Sequence, residues 1–155
     1  MRAVFALCEG LLFSWRRAVT VLLLKHGSLH RPIEISKLLM LADQKFVLDR
    51  IGKLKSDENR LPFLDLCAFT LRTGAECLRI DPNEFFSDNG WSEFRNALKV
   101  RHRITHPKNA ADLEIRDDDL SALSDGVSWL IGCYFRLGPG ISAATHEVIA
   151  SERVK

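Results

Sequence analysis

Apolar residues recur along this chain at three- and four-residue intervals, and five stretches read as helices from that spacing. The first spans about Ala3 to Lys25. Val4, Leu7, Leu11 and Ala18 share one face, and Phe5, Leu12 and Val19 share another. Apolar positions lie nearly all round it, the mark of a central helix. Its polar residues Arg2, Glu9 and Arg16 recur every seven positions as a narrow stripe. Gly27, Ser28 and Pro32 break it. The second stretch spans about Ile33 to Leu54, with Ile35, Leu38, Leu39, Ala42 and Phe46 on its inner face, and Lys55 to Arg60 reads as a polar loop. The third opens at Pro62, suited to a first helical position, and continues through Leu64, Cys67, Leu71, Ala75 and Leu78 until Asp81-Pro82 ends it.

Phe85 to Gly90 reads as a loop rich in turn residues. The fourth helix starts near Trp91 or Ser92 and runs to about Thr105, where Pro107 stops it. His106 therefore falls at a helix end. The acids Asp117, Asp118 and Asp119 announce the fifth helix, since negative charge is favoured at a helix N-terminus. Leu120, Leu123, Val127, Leu130 and Tyr134 continue it, and Gly138-Pro139-Gly140 is expected to end it. No stretch reads as a strand. The expected fold class is all-α, a bundle of four to five helices over residues 1–140, followed by a tail or short helix over 141–155.

Length and composition agree with one soluble domain: 155 residues, 46% apolar and 27% charged. The N-terminal run Met1 to Leu7 is interrupted by Glu9 and again by Arg16-Arg17, with no small-residue cleavage site. The uncharged run Ala18 to Leu24 is too short to span a bilayer. A cytoplasmic protein is expected. The cysteines, Cys8, Cys67, Cys77 and Cys133, form no Cys-x-x-Cys pair and read as buried reduced thiols. Cys67 and Cys77 on one helix would lie ~15 Å apart, beyond disulfide reach. Trp15, Trp91 and Trp129 read as core residues.

The 22 basic and 20 acidic residues leave a net charge of +2, which excludes broad electrostatic coating of nucleic acid. The distribution is uneven. No acid occurs between Glu93 and Asp112, an interval holding Arg95, Lys99, Arg101, Arg103 and Lys108 with His102 and His106. Acids then cluster as Asp112, Glu114, Asp117, Asp118, Asp119 and Asp125. A basic helix end attracts phosphate. It also complements the helix dipole and pairs with the acids that follow, so charge alone does not decide between these two uses.

Arg101-His102, three further residues and His106 make an Arg-x4-His pattern at the end of the fourth helix. This resembles the HEPN superfamily of helical-bundle proteins, many of which are ribonucleases. Gly90 to Arg95 and the acid-rich run to Trp129 are similar to a subset of that superfamily, as is a first helix with a lone Glu9 beside Gly10. The resemblance spans about residues 1 to 137. It implies a metal-independent endoribonuclease without a cofactor, its motif doubled across a homodimer, acting on RNA in a toxin or defence setting alongside a protein antitoxin or regulator. By that resemblance Arg101 and His106 are the catalytic pair, with His102, Glu9, Arg103 and Lys108 supporting or binding phosphate. The residue types suit the chemistry: a histidine exchanges protons near neutral pH, and an arginine stabilises charge on an attacked phosphate. The alternative is a non-catalytic HEPN-like domain that binds RNA, a nucleotide or a partner protein. Two residues after His106, where some HEPN toxins carry a modified tyrosine, this chain has Lys108, so regulation of that kind is not expected. His26 and His30, like His102 and His106, are four apart, but Arg103 stands where a His-Glu-x-x-His metal site needs Glu, and no metal is expected.

Overall fold

A computed structural model describes residues 2–26, 32–58 and 61–152. It is a helical protein with one small hairpin: α1 (Arg2–His26), α2 (Pro32–Leu41), β1 (Gln44–Leu48), β2 (Leu54–Glu58), α3 (Phe63–Cys77), α4 (Asn89–Thr105) and α5 (Asp117–Glu152), with 3-10 turns at Pro82–Phe85 and Ala110–Leu113. The expected breaker Gly27-Ser28 and the residue His30 lie outside the described residues. Two compact units form, one from Met1–Glu9 with Asp81–Arg136, the other from Gly10–Ile80 with Leu137–Lys155. Both α1 and α5 contribute residues to each.

In the first unit α4 begins where the Asp88 carboxylate accepts from the Gly90 amide at 3.0 Å, satisfying one of the orphan donors of a helix start. Phe94, Ala97 and Val100 are its buried face. Phe94 stacks on Trp91 and meets Trp129 of α5 with ring centroids 5.3 Å apart. The Trp129 indole N–H donates to the Phe85 carbonyl at 3.0 Å, so burial of its polar edge costs no unmade hydrogen bond. Gly126 lets α5 reach α4: a Cβ there would lie 2.6 Å from the Phe94 Cα.

In the second unit Leu12, Trp15, Val19, Leu22 and Leu23 of α1 are buried, as are Leu66, Cys67, Thr70, Leu71 and Ala75 of α3. Gly74 receives the Val19 side chain, with 3.1 Å to a Cβ placed there. Burial on α1, expected to be a central helix, follows the 5-8-12-15-19-22 face, while its apolar residues Leu7, Phe13 and Leu24 are exposed.

Three expectations are corrected. The helix expected over Ile33 to Leu54 ends at Leu41. Tertiary contacts end it: Arg16 donates from Nε and a terminal nitrogen to the Leu41 carbonyl, at 3.0 and 2.7 Å, and pairs with Asp43 at 2.6 Å. Asp43 takes φ 54°, a left-handed conformation that an aspartate tolerates better than most residues. The absence of strands is the second correction. β1 and β2 pair antiparallel, Gln44 opposite Glu58 and Leu48 opposite Leu54, so β2 replaces most of the expected polar loop. Asp49 closes the turn, its Oδ1 accepting from the amides of Ile51 and Lys53, with Gly52 at φ 77°. The mostly helical fold class stands. Thirdly, Gly138-Pro139-Gly140 lies inside α5. Proline removes one donor there, and beside it Gly140 packs on Leu78, whose methyl carbons lie 2.9 Å from where a Cβ would stand.

Candidate functional site

α4 places Arg95, Lys99 and His102 at i, i+4 and i+7, with His106 following at i+11, and all four are exposed. The acid-free interval of the sequence thus becomes one basic stripe, ~16 Å long at 1.5 Å per residue. Lys99 donates to Asn96 at 3.2 Å. At the end of this stripe lie the motif residues.

Arg101 sits at the edge of the buried face, half-exposed. Its guanidinium donates to Glu9 Oε1 at 2.6 Å, a pairing across 92 residues of sequence. The two side chains are 39% and 47% exposed. An ion pair this wet contributes about 0–1 kcal/mol to stability, so its larger consequence is orientation. The Phe5 ring lies under the same guanidinium at 5.4 Å, one turn before Glu9 on α1. Arg101 is therefore held between a carboxylate and an aromatic face, with part of its fork open to water.

His106 is the C-cap of α4. Its backbone N–H donates to the His102 carbonyl at 2.9 Å, and its dihedrals, φ −130° and ψ 60°, have left the helix. The two imidazoles meet at 5.0 Å between centroids, inclined by 51°. The Thr105 hydroxyl donates to the carbonyls of Arg101 and His102, at 2.8 and 3.3 Å, closing the last turn beneath them.

Arg103 is directed elsewhere. It donates to the carbonyls of Glu114, at 2.8 Å, and Asp112, at 3.3 Å, and pairs with the Asp119 carboxylate. Lys108 enters through its backbone, donating to Asp112 Oδ2 at 2.8 Å while its side chain is exposed. Asn109 and Asp112 form a reciprocal capping box over the 3-10 turn. The segment after His106-Pro107 is thereby pinned to α4 and to the start of α5. At that start Asp119 accepts from the Arg116 amide at 2.9 Å, the third helical residue reaching back to the cap. That amide, then the Arg103 guanidinium, hold the Asp119 carboxyl below its ordinary value against the opposing effect of partial burial.

The structure thus brings Glu9 to Arg101 and His102 to His106, and turns Arg103 onto the loop. Sequence reading missed Phe5 and Thr105. Phe5 had a signal, since it lies one helical turn from Glu9. Of the two uses of the basic helix end weighed above, Arg103 takes the pairing with the acids that follow, and the loop geometry selects Asp119 among them. Among the described residues no group of three or more His, Cys, Asp or Glu side chains is placed to hold a metal ion. No described helix is long and apolar enough to cross a membrane. A groove of about 390 Å³ in the second unit, between α1 and the end of α2, contains none of the motif residues.

No protein-family model, curated protein or solved structure matches this chain.

Proposed function

We propose that the protein is a metal-independent endoribonuclease of HEPN type that cleaves RNA by attack of the substrate's own 2′-hydroxyl. The observation that carries this reading is the union, in one unit, of an oriented, half-open Arg101 with an exposed pair of imidazoles at the end of the same helix. Such cleavage needs a base for the 2′-oxygen, an acid for the leaving 5′-oxygen and a cation on the phosphate. His106 exchanges the proton, Arg101 meets the phosphate charge, and His102 stands one helical turn from His106 to orient it or to share the transfer. The stripe Arg95-Lys99 leads the RNA backbone to them. Two copies facing each other would supply two such sets to one cleft, and a toxin or defence role with a protein antitoxin follows from the family resemblance.

The test is cleavage of single-stranded RNA in excess EDTA. The intact protein is expected to produce 2′,3′-cyclic phosphate ends and to spare a substrate carrying 2′-deoxy sugars. His106→Ala and Arg101→Ala are each expected to lower the rate by about 10²–10³-fold. Full activity in both variants, or loss of cleavage in EDTA restored by a divalent cation, sinks the proposal. RNA binding without any cleavage favours the non-catalytic reading.

A further inference from the structure

The β1–β2 hairpin displays side chains that folding does not need. Ile51 at its tip is 86% exposed, and Leu54, Phe46 and Val47 are exposed as well. Between them stand the exposed cations Arg50, Lys53 and Lys55. The hairpin's acids are Asp49, Asp57 and Glu58; Asp57 and Glu58 stand at the end of β2 away from the turn, opposite Lys45 and Gln44. At the turn the Asp49 carboxylate is spent: Oδ1 accepts from the amides of Ile51 and Lys53, and Oδ2 lies 3.6 Å from Lys55. Backbone bonds from Asp49 to Lys53 and from Gly52 to Asp49, both 3.0 Å, complete the tip. The turn is thus ordered by its own bonds and presents Arg50-Ile51-Gly52-Lys53 outward. The pairing register puts Phe46, Leu54 and Ser56 on one face, and Lys45, Val47 and Lys55 on the other.

We infer that this hairpin is an arm that grips a single-stranded nucleic acid: Arg50 and Lys53 hold phosphates, Ile51 enters between unstacked bases, and Phe46 offers a ring for stacking. Cations flanking an apolar wedge on a two-stranded ribbon are a known physical solution for nucleic acid, because the charges position the backbone while the wedge takes the space between bases. Charge selects the occupant. An apolar partner would desolvate Arg50 and Lys53 at the tip, whereas a phosphate backbone complements them. Strandedness follows from cost. Entering a duplex means unstacking a base step, at a few kcal/mol, whereas unpaired bases already open gaps and present free faces. The inference rests on residues apart from Arg101 and His106 and stands whether or not the protein cleaves RNA.

The test is fluorescence-anisotropy titration of the full chain with a 2′-O-methylated single-stranded RNA of ~20 nucleotides, which binds but cannot undergo 2′-hydroxyl attack. Arg50→Ser with Lys53→Ser is expected to weaken binding about tenfold at low salt and to reduce the slope of log affinity against log salt by about 1.4, for two phosphate contacts at about 0.7 each. Ile51→Ser is expected to weaken binding about fivefold with the slope unchanged. Arg101→Ala is expected to leave the hairpin-dependent share of binding intact, which separates failure of this inference from failure of the cleavage reading. Unchanged titrations in the hairpin variants overturn the inference. So does equal affinity for blunt duplex DNA, or a dependence on Ile51 seen only with vesicles of anionic lipid. Circular dichroism and an unchanged Tm establish that these exposed substitutions leave the fold intact.

Discussion

Glu9 on the first helix holds the guanidinium of Arg101 on the fourth at 2.6 Å, and the Phe5 ring one turn away lies under the same group. This three-part seat restricts the long arginine side chain to one region of the surface while leaving part of it open. If the seat exists for orientation, Glu9→Gln should lower kcat about tenfold with little change in KM, since misplacing a catalytic group by ~1 Å costs on that order or more. Its Tm should move little, in keeping with a half-exposed ion pair. Arg101→Lys should fail to restore activity, because an ammonium lacks the planar fork. A Glu9→Gln variant with normal kcat would remove Glu9 from the positioning role.

Asp119 supplies a pH dependence with a definite sign. The Arg116 amide and the Arg103 guanidinium lower its carboxyl pKa in the folded protein, below the ~3.9 of an unfolded chain. Its contribution is therefore present in full above about pH 5 and is lost as pH falls through the folded value. Asp119→Asn should destabilise the protein by about 1 kcal/mol at pH 7, and the difference in Tm from the parent should shrink as pH drops towards 3. A difference independent of pH over that range would contradict the assignment.

Glycines along the helices divide by what a methyl group would meet. At Gly126 it would lie 2.6 and 2.7 Å from the Phe94 Cα and nitrogen, backbone atoms that cannot rotate aside. Gly126→Ala should cost about 2–3 kcal/mol, lowering Tm by roughly 4–12 °C for a chain of this size. At Gly10 and Gly132 nothing lies within 4 Å. Alanine at either should be neutral or stabilising by up to about 1 kcal/mol through helix propensity. Differential scanning calorimetry of the three variants distinguishes them.

Asp49→Ala should loosen the hairpin alone. It removes the acceptor of two turn amides and leaves the helical cores untouched. Trypsin cleavage after Arg50 and Lys53 should accelerate while the global Tm stays within about 1–2 °C, the signature of local opening. A large drop in Tm would show that the hairpin is integral to the second core.

Burial, reinforced by the negative charge of Asp88, pushes the Cys133 thiol up to about 12, and burial likewise raises Cys8. Both thiols are free and buried. The thiolate is the reactive form, so at pH 8 these two cysteines should react with an aromatic disulfide reagent only as fast as the protein unfolds. Rapid labelling of Cys133 in the native state would contradict its placement.

Much of the site was legible one residue at a time. Asp117 to Asp119 marks the start of α5, and Pro107 marks the end of α4 so closely that His106 falls on its C-cap. These signals are local, since charge near a helix dipole and a missing proline donor act within one turn. Pairing of Glu9 with Arg101 was expected from the family resemblance, in which an acid elsewhere in the bundle assists the motif arginine, and the two meet at 2.6 Å. Arg103 was legible only as a choice between phosphate and the acids that follow, and the folded loop decides for the second by bringing the Asp112 and Glu114 carbonyls and the Asp119 carboxylate to it. The hairpin was hidden for a related reason: Ile35, Leu38, Leu39, Ala42 and Phe46 continue a helical spacing past the point where Arg16 stops the helix.

Residue pattern alone set the helical class, the extent of α1, the C-terminal end of α4 and the concentration of cations on one stretch, because periodicity and capping chemistry act over a few residues. Tertiary structure decided where α2 ends, that α5 continues through Pro139, which cations face water and which face the loop, and that Glu9 seats Arg101. Each of these depends on a partner distant in sequence, and a carbonyl, a carboxylate or an open glycine exerts its effect only once folding has brought it within hydrogen-bond or van der Waals range.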